Sequence, residues 1–120
     1  MNRVIEMKTS KMGVAKGGTR TILTPKTSVT HESREDLETT FAECLEQRKT
    51  EIILDCKAVA FLDSEGLELF VHMHEELKAR GGALKIIGVN SVCRDILRAT
   101  RLIGSLNVHE DIHDALRGGS

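Results

Sequence analysis

The chain has 120 residues, 40% hydrophobic and 29% charged, with a formal net charge of −1, the size and balance of one small globular domain. Near-neutral charge, with no Trp or Tyr, leaves neither a concentrated basic surface nor stacking platforms, which argues against nucleic acid as the main partner. No apolar run is long enough to span a bilayer and no basic-then-apolar signal peptide is present, so the expectation is a cytoplasmic protein without direct membrane insertion.

Met1 to about Lys11 carries no firm pattern and reads as a lead-in or a short strand. Met12-Gly13-Val14-Ala15, a Gly17-Gly18 turn and Thr19 to Leu23 read as a β-hairpin, with Pro25 ending the second strand. Ser33 is the expected cap of a first helix, Asp36 completing an imperfect capping box and Leu37, Phe41, Cys44 and Leu45 forming the buried stripe. Glu51 to Asp55 follows as a strand, its Ile52-Ile53-Leu54 run having the composition of a buried strand. A second helix is expected from about Ser64 to Arg80, with Leu67, Phe70, Val71, His74 and Leu77 at helical spacing and a stop at Gly81-Gly82. Leu84 to Val89 reads as a strand, Ser91 to Ala99 as a helix, Leu106 to His109 as a short strand and Asp111 to Leu116 as a last helix. Strands separated by helices imply an α/β fold with a mixed, mostly parallel sheet of about four to five strands and four helices. The terminal 118–120 segment is expected to be a loose tail.

The stretch Phe61-Leu62-Asp63-Ser64-Glu65-Gly66-Leu67 places a serine hydroxyl between two carboxylates at a helix start. Asp63 or Ser64 is the natural cap, because a short side-chain oxygen can accept from the orphan N–H groups of the first turn. The same position favours added negative charge, since unpaired N–H groups and the positive end of the helix dipole meet there. A phosphoryl group on Ser64 would gain from those N–H groups, would be repelled by Asp63 and Glu65, and would alter the surface a partner approaches. Gly66 leaves the first turn open to another backbone.

Three stretches together carry a family resemblance: Ile52 to Asp55, Val59 to Leu67, and Leu77 to Gly88 with its Gly81-Gly82 pair. They resemble the STAS domain, the family of bacterial anti-sigma factor antagonists and of the cytoplasmic tails of sulphate transporters. Val92 to Leu97, ending at Leu102-Ile103, is similar to that family's third helix, so a STAS-like domain is expected over 12–117. The resemblance implies that Ser64 is phosphorylated by a partner that is both serine kinase and anti-sigma factor, and that a phosphatase resets it. It further implies a partner-binding surface of Asp63, Ser64, Gly66 and Leu67, adjoined by Ser91 to Arg94, including Ser91 and Arg94 themselves. Many relatives carry a Gly followed closely by an Asp between the second strand and the first helix. Here Thr24 to Thr30 holds neither, Thr30 stands at the Asp position, and Glu65 stands where relatives often have a small residue. STAS-like proteins also brace transport ATPases and permeases, including lipid transporters, without being phosphorylated, and a small-ligand sensor is a third reading.

Other chemistry is poorly supported. Ser64 lacks a Gly-x-Ser-x-Gly elbow and a histidine placed by sequence as its base, so no catalytic residue is assigned and no enzyme is expected. No Gly-x-x-x-x-Gly-Lys cradle is present and no cofactor is implied. His72 and His74, two apart, point to different helix faces and cannot share a metal; His74 reads as a partly buried packing residue. His31, His109 and His113 show no partner pattern. Cys44, Cys56 and Cys93 are odd in number, lack metal or redox spacing, and read as reduced small apolar residues. Glu76 and Arg80 form an i, i+4 pair on a solvated face.

Overall fold

The computed structural model describes residues 3–6, 12–17 and 20–117. Strands β1 (Arg3–Glu6), β2 (Met12–Gly17) and β3 (Arg20–Pro25) form an antiparallel meander. The chain then alternates through α1 (Arg34–Glu46), β4 (Glu51–Asp55), α2 (Ser64–Ala79), β5 (Ala83–Ile87), α3 (Ser91–Ala99), β6 (Asn107–His109) and α4 (Ile112–Arg117). β3, β4, β5 and β6 pair in parallel, so one six-stranded sheet runs in simple chain order. The α/β class, the mixed sheet and the four helices are as expected. The sheet has six strands because the short-strand reading of the lead-in holds: β1 forms there and pairs with β2. Gly18 of the expected turn, Thr19 at the start of the expected second strand, and the expected tail 118–120 lie outside the described residues.

Because the strand order never reverses, crossovers of one hand put α1, α2 and α3 on the same face. The period-two register then sorts the strands. Leu23, Ile52, Leu54, Leu84 and Ile86 face those helices and join Leu37, Phe41, Phe70, Met73, Leu77 and Leu97 in the main core. Ile53 and Ile87 face the other way, where α4 covers them with Ala115 and Ile112. Lys85, next to Ile53 in register, donates from Nζ to the Ala115 carbonyl at 2.8 Å and so ties the end of α4 to the sheet.

Two expectations shift in detail. Ser33 stands at the α1 boundary but its hydroxyl makes no capping bond. It donates instead to the Ser28 carbonyl at 2.6 Å and accepts from the Thr30 N–H at 3.0 Å. The capping role passes to Thr30, whose hydroxyl accepts from the Glu32 N–H at 3.3 Å and whose carbonyl accepts from the Arg34 N–H at 2.8 Å. A turn over 31–33 therefore precedes α1. On α2 the buried face is Leu69, Phe70, Met73 and Leu77, while Leu67, Val71 and His74 are only half-buried. The helix is apolar around more than one face, and contact with the sheet selects which side is covered.

Candidate functional site

The sequence motif folds as the loop between β4 and α2, locked to the loop between β3 and α1. The Val29 N–H donates to the Phe61 carbonyl at 3.2 Å, and Val29 and Leu62 form a parallel bridge. Asp63 is the α2 cap: one carboxylate oxygen accepts from the Gly66 N–H at 2.9 Å. The other accepts from the His31 N–H at 2.8 Å and lies 3.1 Å from the His31 ring nitrogen Nδ1. Those bonds, led by the Gly66 N–H and then the His31 N–H, pull the Asp63 pKa down to about 2. The same hydrogen bond to Asp63 raises the pKa of the exposed His31 ring. His31, which has no partner by sequence spacing, thus has one 32 positions away. His109 likewise lies 3.4 Å from Asp114.

Gly66 is buried beneath the Val29 backbone. A Cβ there would run into the Val29 carbonyl oxygen and sit 3.0 Å from the carbonyl carbon, so the close approach requires glycine. Gly66 acts by letting the two loops meet rather than by presenting a surface. Ser64, the first residue of α2, is exposed, and no partner for its hydroxyl occurs among the described residues. With the Asp63 side chain engaged at the third helical N–H, the N–H groups of Ser64 and Glu65 have no intrahelical acceptor.

From Ser64 a groove of about 670 Å³ runs along α2, floored by Leu67, Val71 and Leu102 and edged by Arg34 and His72. His72 also meets Phe41 edge-on, ring centroids 6.2 Å apart. Arg34, which the sequence does not mark, sits at the head of the groove. Its Nε lies 3.1 Å from Glu38, and its Nη1 lies 3.6 Å from Glu65 and 3.7 Å from Glu68. The spacing Arg34 to Glu38 is the only signal of it in sequence, and that spacing says nothing of α2.

Ser91 is exposed and Arg94 half-buried in the first turn of α3. That turn adjoins the motif loop through Asn90, which caps α3 by accepting from the Cys93 N–H at 2.7 Å. The Asn90 amide also donates to the Val59 and Ala60 carbonyls, each at 3.4 Å. Phe61, 47% exposed, and Val92, 50% exposed, are apolar points on these two segments.

Cys44, Cys56 and Cys93 are all buried, and burial pushes the Cys56 and Cys93 thiols up, away from the reactive thiolate. Among the described residues no group of three His, Cys, Asp or Glu converges as a metal site, and no helix is long and apolar enough to cross a membrane.

No curated protein sequence is a significant match to the chain. Its fold is similar to that of a Thermotoga maritima protein described as an anti-sigma factor antagonist, with TM-score 0.82 and 21% identity over 88% of this chain and 91% of that one. It is also similar to an anti-sigma factor antagonist from Mycobacterium paratuberculosis, with TM-score 0.78 and 16% identity over 98% and 93%. A third similar structure is the Bacillus cell fate determinant SpoIIAA in its phosphorylated form, with TM-score 0.63, 16% identity and full coverage of both chains, 100% each. The sequence profile of the STAS domain matches residues 11–115, and the chain belongs to the STAS domain family.

Proposed function

We propose that this STAS domain is a cytoplasmic regulatory protein of the anti-sigma factor antagonist type, which binds a partner anti-sigma factor and is switched by phosphorylation at Ser64. The observation that carries the reading is the position of Ser64. It is exposed at the first position of α2, beside a groove, on a loop held still by the Asp63 cap and the Gly66–Val29 contact. A regulatory serine needs both an accessible hydroxyl and a rigid surround, so that added charge changes a surface rather than unfolding a loop. In the transfer, Ser64 Oγ forms a bond to the terminal phosphorus of a nucleoside triphosphate held by the partner kinase. The bond to the leaving diphosphate breaks, and the hydroxyl proton passes to a base on the kinase. A phosphatase reverses the modification by hydrolysis.

The partner surface comprises Asp63, Ser64 and Leu67, with Gly66 fixing their backbone and Ser91 and Arg94 extending it across the first turn of α3. SpoIIAA, known in a phosphorylated form, supports the reading by its similar fold. The function proposed is binding of a partner, with both oxygens of Asp63 serving the α2 cap and the His31 loop.

Intact mass of the protein isolated from its own cells tests this. A phosphate adduct is expected in the wild type and absent from Ser64→Ala. No adduct under several growth and stress conditions would overturn the switch and leave the alternative of a STAS subunit bracing a transport ATPase or permease.

A further inference from the structure

We propose that Arg34 is the residue that receives the Ser64 phosphoryl group, exchanging Glu65 and Glu68 for phosphate and clamping α1 to the start of α2. This rests on Ser64 being the modified residue.

Arg34 Nη1 stands 3.6 Å from Glu65 and 3.7 Å from Glu68, outside the range of a good N–H···O bond. These are attractions between charges, shared between two carboxylates and satisfied by neither. Glu65 and Glu68 side chains are 49% and 71% exposed, so both can swing into water at little cost. The arginine, by contrast, is restrained: its side chain is 26% exposed and its Nε is held by Glu38 at 3.1 Å. A fork already oriented, with its outer nitrogen poorly engaged, suits an oxyanion of higher charge.

Ser64 is adjacent to that fork by helical geometry. Residues 64 and 68 are i, i+4 neighbours on one face of α2, and 65 and 68 are i, i+3 neighbours. The three positions form one patch, and Arg34 already bridges to two of them. Arg34 and Ser64 also line the same groove. His31 does not compete for this role, because its Nδ1 faces Asp63 at 3.1 Å. A phosphoserine carries close to two negative charges and three acceptor oxygens, more than either carboxylate offers the guanidinium.

The exchange gives the modification a geometric consequence. Held by Arg34, the phosphate lies over the head of the groove floored by Leu67, Val71 and Leu102, while Glu65 and Glu68 turn outward. A partner segment loses access to the apolar floor and meets a more acidic rim.

The test uses the full chain with phosphoserine installed at position 64 during translation, which makes it independent of any kinase. Urea unfolding is measured for Ser64 and phosphoserine-64, each with Arg34 and with Arg34→Ala, and the four values form a double-mutant cycle. The expected result is a coupling of about tenfold in the folding equilibrium constant, as for a charge-assisted hydrogen bond partly screened by solvent. The Arg34 Nε–Hε resonance is expected to shift on phosphorylation. Phosphoserine at position 91, the corresponding residue of α3, is expected to show no coupling to Arg34. Coupling within about twofold, with an unmoved Arg34 resonance, overturns the assignment. An absence of phosphate on protein from cells would instead overturn the switch and leave this cycle unaffected, so the two failures are distinguishable.

Discussion

The starts of α2 and α3 use one device for two purposes. Each helix begins beyond the C-terminal end of a parallel strand, each has a side-chain cap bonded to the N–H three residues on, and each has an exposed serine as its first residue. At α2 the cap is the charged Asp63, and its second oxygen reaches across to the His31 loop. At α3 the cap is the neutral Asn90, and its amide reaches back to the Val59 and Ala60 carbonyls. The third residue of α2 is Gly66, pressed against Val29, whereas that of α3 is the buried thiol Cys93. The charged cap, partly buried, ties its loop sideways to the β3–α1 loop; the neutral cap, exposed, ties the start of α3 back to the segment that leads into that loop.

The sharpest test of this contrast is at the third residue. Gly66→Ala is expected to cost about 3 kcal/mol, because the new Cβ meets a backbone carbonyl that cannot move without opening both loops. Cys93→Ala, at the matching place in α3, is expected to cost about 1 kcal/mol by leaving a small void. Equal urea midpoints for the two variants would remove the close approach as the distinguishing feature.

Next in size is the brace. Asn90→Ala loses both the cap and the two donated bonds, and a loss of about 2 kcal/mol in chemical unfolding is expected. Asn90→Asp keeps the cap but turns an acceptor toward two carbonyls, so it should recover only about half of that loss. Full recovery by Asp would show that the two donated bonds contribute nothing.

The comparison extends to the other ends of the same helices. Both close with the long bond of a Schellman motif: Gly82 N–H to Leu77 carbonyl in α2, and Leu102 N–H to Leu97 carbonyl in α3, each at 2.8 Å. The left-handed residue is Gly81, φ 78°, in α2 but Arg101, φ 64°, in α3. Arg101→Gly should therefore stabilise by about 1 kcal/mol and Gly81→Ala destabilise by about the same, with open space around Gly81 leaving φ as the cause. Thermal melts of the two variants moving in the same direction would contradict this.

The smallest effect is the pH dependence of the α2 clasp. Because the His31 pKa is raised in the folded protein, the stabilisation it brings is complete below its ordinary value of about 6.5 and is lost as pH rises through the folded value. Asp63 has its pKa lowered to about 2, so its contribution is present above the ordinary carboxylate value and is lost as pH falls through about 2. The clasp is thus strongest in mildly acidic solution. Proton NMR should show a raised His31 titration that falls back in Asp63→Asn; an unchanged midpoint in that variant would break the link.

How much of this was legible in the chain depends on range. The alternation of strands and helices, the burial of Ile52 to Leu54, a cap at Asp63 or Ser64 and the stop at Gly81-Gly82 are written in spacings of a few residues, and periodicity and turn chemistry read them directly. The local signals failed where two short-range answers competed. Ser33 and Thr30 are both acceptable caps, and the sharp bond from Ser33 to the Ser28 carbonyl decided between them. Leu67, Val71 and His74 fit helical spacing as well as Leu69 and Met73 do, and the sheet chose which set to cover.

The sequence by itself determined the elements, the family pattern and the serine at a helix start, since each rests on contacts within one turn or one strand. Only the tertiary structure decided what surrounds that serine. His31 meets Asp63 across 32 positions, Asn90 meets Val59 across 31, and Arg34 reaches Glu65 and Glu68 on another helix. The physical reason is that closing the parallel sheet brings the ends of β3, β4 and β5 side by side. Their loops then meet through single hydrogen bonds and ion pairs, which leave no periodicity for a sequence to display.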